Sequence, residues 1–323
     1  MMNLYDDLHE WLMQNLILPV FFQFNWMSYV EDSSLALDWF LIGIFQILII
    51  ALILRPAEAK EELLSDMGYS GKSAIWSDIF YCFVHRLGLF QLLFFFSLNP
   101  LFINIGSLLH DVRFARLNLE NILPNFNSTP LLSFIVYLII LDFVDYLYHR
   151  ISHQFSWWWQ LHALHHSQRH MTAWSDNRNH LIDDVLKAIV FSTVALVIGI
   201  EPSQFILLVA FSHLIQSWQH GYYSNQFQFL KYFIVTPSFH RYHHAIRLGY
   251  ELPGKPGVLG GCNFGVLFPW WDLLFKTAIF DTSYHPTGVD AIVPSNNPFI
   301  QQAQFFRNSM NALKRAFFRL DAK

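Results

Sequence analysis

Histidine dominates the chemistry this chain can do. Twelve of its 16 histidines fall between positions 149 and 244, and the other 227 residues hold four. Their spacing repeats. His149 and His153 stand four apart, His162-Ala-Leu-His165-His166 follows, and His240-Arg-Tyr-His243-His244 comes later. On a helix turning about 100° per residue, positions i, i+3 and i+4 share one side, so the spacing predicts that all three imidazoles of each HxxHH stretch point at one centre. With His180 and His220 added, the candidate metal ligands are His149, His153, His162, His165, His166, His180, His220, His240, His243 and His244. Imidazole-only coordination suits iron, zinc, copper or nickel and excludes magnesium and calcium. The three stretches together can surround two metal ions.

Acidic residues stand where they can support such ligands. Asp145 precedes His149 by one helical turn and Asp142 by two, and a carboxylate that accepts the far ring N–H of a ligand fixes its tautomer and orientation. Asp176, Asp183 and Asp184 lie close to His180 and can act in the same way. His213, His170 and His85 stand at the margin of the set; His9, His110 and His285 lie far from it and read as structural.

The elements that must position these residues are membrane helices. Charged residues make up 14% of the 323, against roughly 25% in a soluble globular domain, while hydrophobic residues reach 54%, aromatics 18%, and the mean hydropathy is +0.30. A soluble fold of this size needs more charge to cover its surface. The net charge of −4 excludes nucleic-acid binding driven by bulk basicity. Two cysteines, Cys82 and Cys262, can make neither a disulfide framework nor a cysteine-rich zinc site.

Apolar stretches run over Trp39–Leu54, from about Ile79 to Leu109, and from Pro130 to Tyr148. Val185–Ile200 and Ser203–Gln219 flank Glu201-Pro202, which reads as a tight turn between two helices. These last two fall short of the roughly 20 apolar residues that a full span needs, so 185–219 is expected to form a short membrane hairpin. The N-terminus shows no basic signal-peptide region. With it outside, Arg55, Lys60 and Lys72, then Arg150, Arg169, Arg178 and Lys187, and ten more Lys or Arg beyond 220 all lie inside. The expected fold is therefore all-α: a polytopic integral membrane helical bundle carrying a cytoplasmic His-rich metal-binding helical cap. Residues 1–129 hold N-terminal membrane segments and loops, 130–290 the catalytic domain, and 291–323 a C-terminal amphipathic helix. In that helix Phe306, Met310, Leu313, Phe317 and Leu320 recur among Arg307, Lys314, Arg315 and Arg319. A basic helix of this pattern can lie on the membrane surface or pack on the catalytic domain.

At its histidine motifs the chain resembles the fatty acid hydroxylase superfamily, which includes sterol desaturases, C-4 methylsterol oxidases, sphingolipid hydroxylases and alkylglycerol monooxygenases. The family's HxxxH, HxxHH and HxxHH boxes match His149–His153, His162–His166 and His240–His244. Arg178-Asn-His180 resembles its R-x-H element, Gln219-His220 its Q-H element, and Thr236-Pro237 precedes the third box as in relatives. Asn263-Phe-Gly265 and Trp271-Asp272 match its N-F-G and W-D stretch, which places Asn263 and Asp272 with Asp142 and Asp145 among the expected supports of the ligands. Pro286-Thr-Gly288 is similar to an element of bacterial members and favours a bacterial inner membrane over endoplasmic reticulum. Leu273 stands where many relatives carry Arg, Lys276 replaces the usual Gly, and Glu251–Gly261 lengthens the loop after the third box.

The resemblance implies a non-haem di-iron centre on the cytoplasmic face of a multi-pass protein. It implies O₂ activation beside a lipid channel and hydroxylation or desaturation of an unactivated C–H bond in a sterol, fatty acyl, sphingolipid or ether lipid. Zinc can take the same ligands in purified protein. No CxxCH or GxGxxG fingerprint occurs, so the electrons are expected from a separate carrier such as a cytochrome b5-like protein or a ferredoxin. Two other readings compete: a membrane zinc-dependent hydrolase, weakened by the absence of HExxH and GxSxG, and a non-enzymatic bis-His haem or metal-handling protein.

Overall fold

A computed structural model describes residues 2–58, 71–89, 119–123, 126, 128–223, 229–246, 261–290, 292 and 294–320. Every regular element among them is helical, and their one β-type contact is an isolated antiparallel bridge between Ala245 and Thr287. The helices that matter to the site are α1 (Met2–Leu12), α2 (Met27–Ala57), α3 (Gly71–Arg86), α4 (Pro130–Gln154), α5 (Ser156–His166), α6 (Leu181–Ile198), α7 (Pro202–His220), α8 (Pro237–His243), α9 (Trp270–Phe275) and α10 (Pro298–Leu320).

Two of them, α2 and α4, are long and apolar enough to cross a membrane. At 1.5 Å per residue either exceeds the roughly 30 Å hydrocarbon thickness. Among the described residues no element covers their outward apolar faces: Phe45, Leu48, Leu52 and Ile53 on α2 and Leu131, Leu132 and Ile135 on α4 are all exposed. In water such stripes are a liability; against acyl chains they are not. Helix α2 begins well before the expected Trp39. Glu31 and Asp32 occupy its first turn, where carboxylates favour a helix N-terminus rather than interrupting it. Much of the second apolar stretch, from 90 to 109, and most of the Glu251–Gly261 insertion lie outside the described residues.

The turn at Glu201-Pro202 is present. Gly199 ends α6 in the left-handed conformation, φ 80°, and Pro202 opens α7 at a position where its missing N–H costs nothing. This hairpin packs on α4 through Tyr137, Leu138 and Leu141 against Ala195, Ile200 and Leu208. Gln46 of α2 donates to the Ala210 carbonyl of α7 at 2.7 Å and accepts from Arg86 of α3 at 2.9 Å, which joins the three helices.

The C-terminal helix packs on α5, with a face other than the expected stripe. Phe305 is fully buried with Trp159, Ala163 and Leu164 of α5, and Ser309 donates to the Trp157 carbonyl at 2.8 Å. Phe306 and Met310 instead point outward.

Candidate metal centre

The histidine boxes sit at helix ends that converge. His149 and His153 close α4, His162, His165 and His166 close α5, His220 is the last residue of α7, and His240 and His243 lie on α8 with His244 as its C-cap. Thr236 accepts from the Phe239 N–H as N-cap of α8, and Pro237 follows at the first helical position. That cap sets the direction in which the third box enters the core.

Nine imidazoles gather there in two adjoining groups. One holds His149, His153, His162, His166 and His243; the other holds His165, His220, His240 and His244; within each group the candidate ligand atoms lie within 4.8 Å of one another. The expectation that each HxxHH points at a single centre is therefore corrected. His162 and His166 go to the first group and His165 to the second, whereas His240 and His244 go to the second and His243 to the first. The reason is angular: on a helix i and i+4 are about 40° apart, but i+3 and i+4 are about 100° apart, so two close centres take the box from two sides.

The geometry fits metal ions. Metal–imidazole bonds of about 2.0–2.1 Å put neighbouring ligand nitrogens roughly 3.0–3.4 Å apart. In the second group Nε2 of His220 lies 3.3 Å from Nε2 of His165 and 3.1 Å from Nε2 of His240, which lies 3.1 Å from Nε2 of His244. In the first group the Nε2 atoms of His149, His162, His166 and His243 are buried with no hydrogen-bond partner. Buried nitrogen lone pairs facing each other are costly unless a cation joins them.

The other side of each ring is held. His149 Nδ1 donates to the Phe264 carbonyl at 2.9 Å, His243 Nδ1 to the Cys262 carbonyl at 2.7 Å, His162 Nδ1 to Asp183 at 3.0 Å, and His220 Nδ1 to the Gln216 carbonyl at 2.8 Å. Each bond places the proton on Nδ1 and leaves Nε2 a bare donor. Burial first, and the neighbouring imidazoles second, hold His165, His166, His240 and His244 well below the ordinary histidine value, and burial lowers His243 to about 3. These shifts favour the neutral ring in each of the five, as metal ligation requires.

Five expected roles change. His180 lies outside both groups: it caps α6, its Nδ1 accepting from Ile182 N–H and its Nε2 donating to the Gln302 carbonyl of α10 at 3.1 Å, so neither nitrogen is open to a metal. Asp145 takes Lys187 at 2.9 Å rather than a ring N–H. Asp142, Asn263 and Asp272 act through a loop instead. Asp142 accepts from Leu267 N–H, Phe268 N–H and the Trp271 indole; Asp272 accepts from Phe264 N–H, Gly265 N–H and Thr277 Oγ1. Asn263, at φ 58°, donates to the Phe239 and Ile279 carbonyls. Together they fix the backbone whose carbonyls receive His149 and His243. Burial raises Asp272 to about 6.

The carboxylate that does receive a ring N–H is Asp183, which also accepts from Tyr148 Oη and Trp158 Nε1. Sequence spacing tied it to His180, not to His162, because the two lie on different helices. The carbonyls of Cys262 and Phe264 carry no side-chain signature at all. Arg178 of the R-x-H element bonds Asp78 of α3 at 2.6 Å and pins the 167–180 segment to that helix. His213 and His85 lie outside both groups, as does His170.

Comparison with known proteins agrees with this geometry. Residues 134–277 match the fatty acid hydroxylase family, a stretch that contains all nine gathered histidines. Alkylglycerol monooxygenase of Caenorhabditis elegans is 30% identical over 165 residues, 51% of this chain and 30% of that protein. Ornithine lipid hydroxylase OlsE of Rhizobium tropici is 28% identical over 153 residues, 47% of this chain and 43% of its own. Alkylglycerol monooxygenase of Homo sapiens is 29% identical over 136 residues, 42% of this chain and 28% of its own. The matched stretch thus spans less than half the length of each of these relatives. No solved structure matches. Residues 134–277 thus hold a stretch that matches the fatty acid hydroxylase family and shares its histidine boxes with these relatives.

Proposed function

We propose that this protein is a membrane-bound non-haem di-iron oxidoreductase that uses O₂ and external electrons to hydroxylate, or desaturate, an unactivated C–H bond of a lipid. The observation that carries the reading is the pair of adjoining, buried, all-imidazole groups, one of five histidines and one of four. Iron bound there would supply O₂ activation, chemistry that side chains alone do not provide. The chain's own residues do the rest. Asp183 and the carbonyls of Phe264 and Cys262 hold the Nδ1 protons, which turns the Nε2 lone pairs inward. The surrounding apolar packing keeps water from the centre.

Two lipid-modifying relatives support a lipid substrate: a sterol, a fatty acyl group, a sphingolipid or an ether lipid. The exposed apolar stripes of α2 and α4 and the hairpin α6–α7 support a multi-pass bundle, with residues 130–290 as its catalytic domain and the histidine cap on the cytoplasmic face. The Pro286-Thr-Gly288 element supports a bacterial inner membrane. Electrons come from a separate carrier of the cytochrome b5 or ferredoxin kind, with zinc able to occupy the same nitrogens in purified protein.

The test is lipid mass spectrometry on cells with and without the gene, grown under ¹⁸O₂. Gene-dependent lipids carrying one ¹⁸O, or one additional double bond, are the expected products. An unchanged lipid profile in iron-replete cells, with the protein present in the membrane, contradicts the reading.

A further inference from the structure

A cavity of about 580 Å³ lies between α2, α3, α4, α6 and α7. It reaches from Pro202 to Gln216 along α7, 14 residues and so about 21 Å at the helical rise. Its volume is that of a small-molecule site, about 300–1,000 Å³. None of the nine gathered histidines lines it.

The two ends of the cavity differ. The inner end is walled by Asp145, Asp176, Asp184 and Lys187, with Asn177 and Asn179. Away from that end the wall is mostly apolar, with Trp39, Leu138, Phe191 and Phe205, and Asp32 and Ser33 of α2 also line it. Lys187 is spent on Asp145 at 2.9 Å, and Asp176 is paired with Arg86 at 2.7 Å. Among the described residues Asp184 has no Lys or Arg partner at ion-pair distance. Its side chain takes a hydrogen bond from Asn179, while its buried Oδ2, 3.3 Å from the His85 imidazole, accepts none.

This polar end adjoins the metal centre. Gln216 lines the cavity and its carbonyl takes the Nδ1 proton of His220; Asp176 also lines it and lies 3.8 Å from the same nitrogen. Asp145 stands one helical turn before His149. The cavity and the second histidine group are therefore separated by one layer of side chains.

We infer that this cavity holds the lipid substrate with its tail toward the outer end, and that it selects a polar head that donates hydrogen bonds and carries no net negative charge. The inference rests on the oxygenase reading only in calling the occupant a substrate. The selection follows from the inner wall. A carboxylate or phosphate head would meet Asp145, Asp176 and Asp184, largely buried and so poorly screened, with Lys187 and Arg86 already paired. A hydroxyl, amide or ammonium head brings the donor that Asp184 Oδ2 lacks. Such a pose leaves the head, not the far end of the tail, nearest the histidines.

The test is equilibrium binding to the purified full chain in nanodiscs, without O₂ or reductant, using hexadecan-1-ol, hexadecylamine, palmitate and hexadecyl phosphate as probes. The alcohol and the amine are expected to bind at least tenfold more tightly than either anion. Ala188→Trp, which fills the cavity from α6, is expected to weaken all of them at least tenfold, with bound metal per chain unchanged. Should that variant fail to fold, Ser192→Trp tests the same wall one turn along. Asp184→Asn is expected to narrow the preference over palmitate. Anions binding as tightly as the alcohol, or binding untouched by a folded cavity-filling variant, overturns the inference. Because no turnover is read, failure here leaves the oxygenase reading standing, and absence of ¹⁸O incorporation leaves this binding site standing.

Discussion

His166 and His244 lie face to face, their ring centroids 4.2 Å apart and their planes within 17°. They come from different boxes and serve different histidine groups, so this stacked pair is the shared wall between the two sites. Each HxxHH box sends two imidazoles to one side of that wall and one to the other, while His149 and His153 both stay on the first side. The centre cannot be divided into one box per ion, and loss of the end of α5 or of α8 damages both groups.

Asp183 is expected to govern the first group without touching a metal. Asp183→Asn removes the acceptor of His162 Nδ1–H and leaves Tyr148 and Trp158 with a weaker partner. Loss of a carboxylate behind a ligating imidazole typically costs 10–100-fold in metal affinity. Competition with a chelator should show that drop, confined to one of two ions.

Gly265 has no room for a side chain. A Cβ there would sit 2.8 Å from Asp272 Oδ2 and 2.8 Å from the Phe268 carbonyl. Gly265→Ala should displace the loop that receives His149 and His243, costing about 1–3 kcal/mol as an overpacked site. Thermal unfolding with and without bound metal reads it, and the larger loss is expected with metal present.

His180 is expected to matter for folding and not for ligation. His180→Ala removes the N-cap acceptor of α6 and the bond to Gln302. A lost helix cap costs about 1 kcal/mol. The melting temperature should fall while metal per chain stays at the wild-type value.

Acid should destabilise the metal-free protein. His165, His166, His240, His243 and His244 have folded values below their unfolded value of about 6.5, so they stay neutral while the unfolded chain takes up protons. Their contribution is complete above pH 6.5 and is lost as pH falls below it. Asp272, raised to about 6, acts in the opposite sense: its contribution is complete below about 3.9 and is lost as pH rises toward 6. Glu58, raised by burial to about 7, acts in the same sense as Asp272; five imidazoles outweigh these two carboxyls, so denaturation scans from pH 7.5 to 5.5 should show a falling midpoint. A flat midpoint across that range contradicts the burial of neutral histidines.

Much of this arrangement is legible in the residues themselves. The HxxHH stretches mark helix ends because imidazoles at 3–4 spacing share a face, and Glu201-Pro202 marks the hairpin because proline cannot continue a helix but can begin one. The division of the boxes is not legible, since His165 and His166 are equivalent until a second centre gives them opposite sides to face. Carbonyl acceptors such as Phe264 and Cys262 are invisible for a simpler reason: every residue has one. His180 misleads because an imidazole beside an arginine and an aspartate looks the same whether it ligates or caps. Asp145 faces Lys187 of α6, and no local spacing encodes a contact between residues 42 positions apart.

Metal stoichiometry tests the central claim most directly. Protein from iron-supplemented cells should carry two ions per chain, counting iron and zinc together, by elemental analysis against quantitative amino-acid composition. His220→Ala and His153→Ala should each retain one, and the double variant none, with helical circular dichroism unchanged. One ion or none in the wild type, or two ions surviving in the folded double variant, contradicts the account.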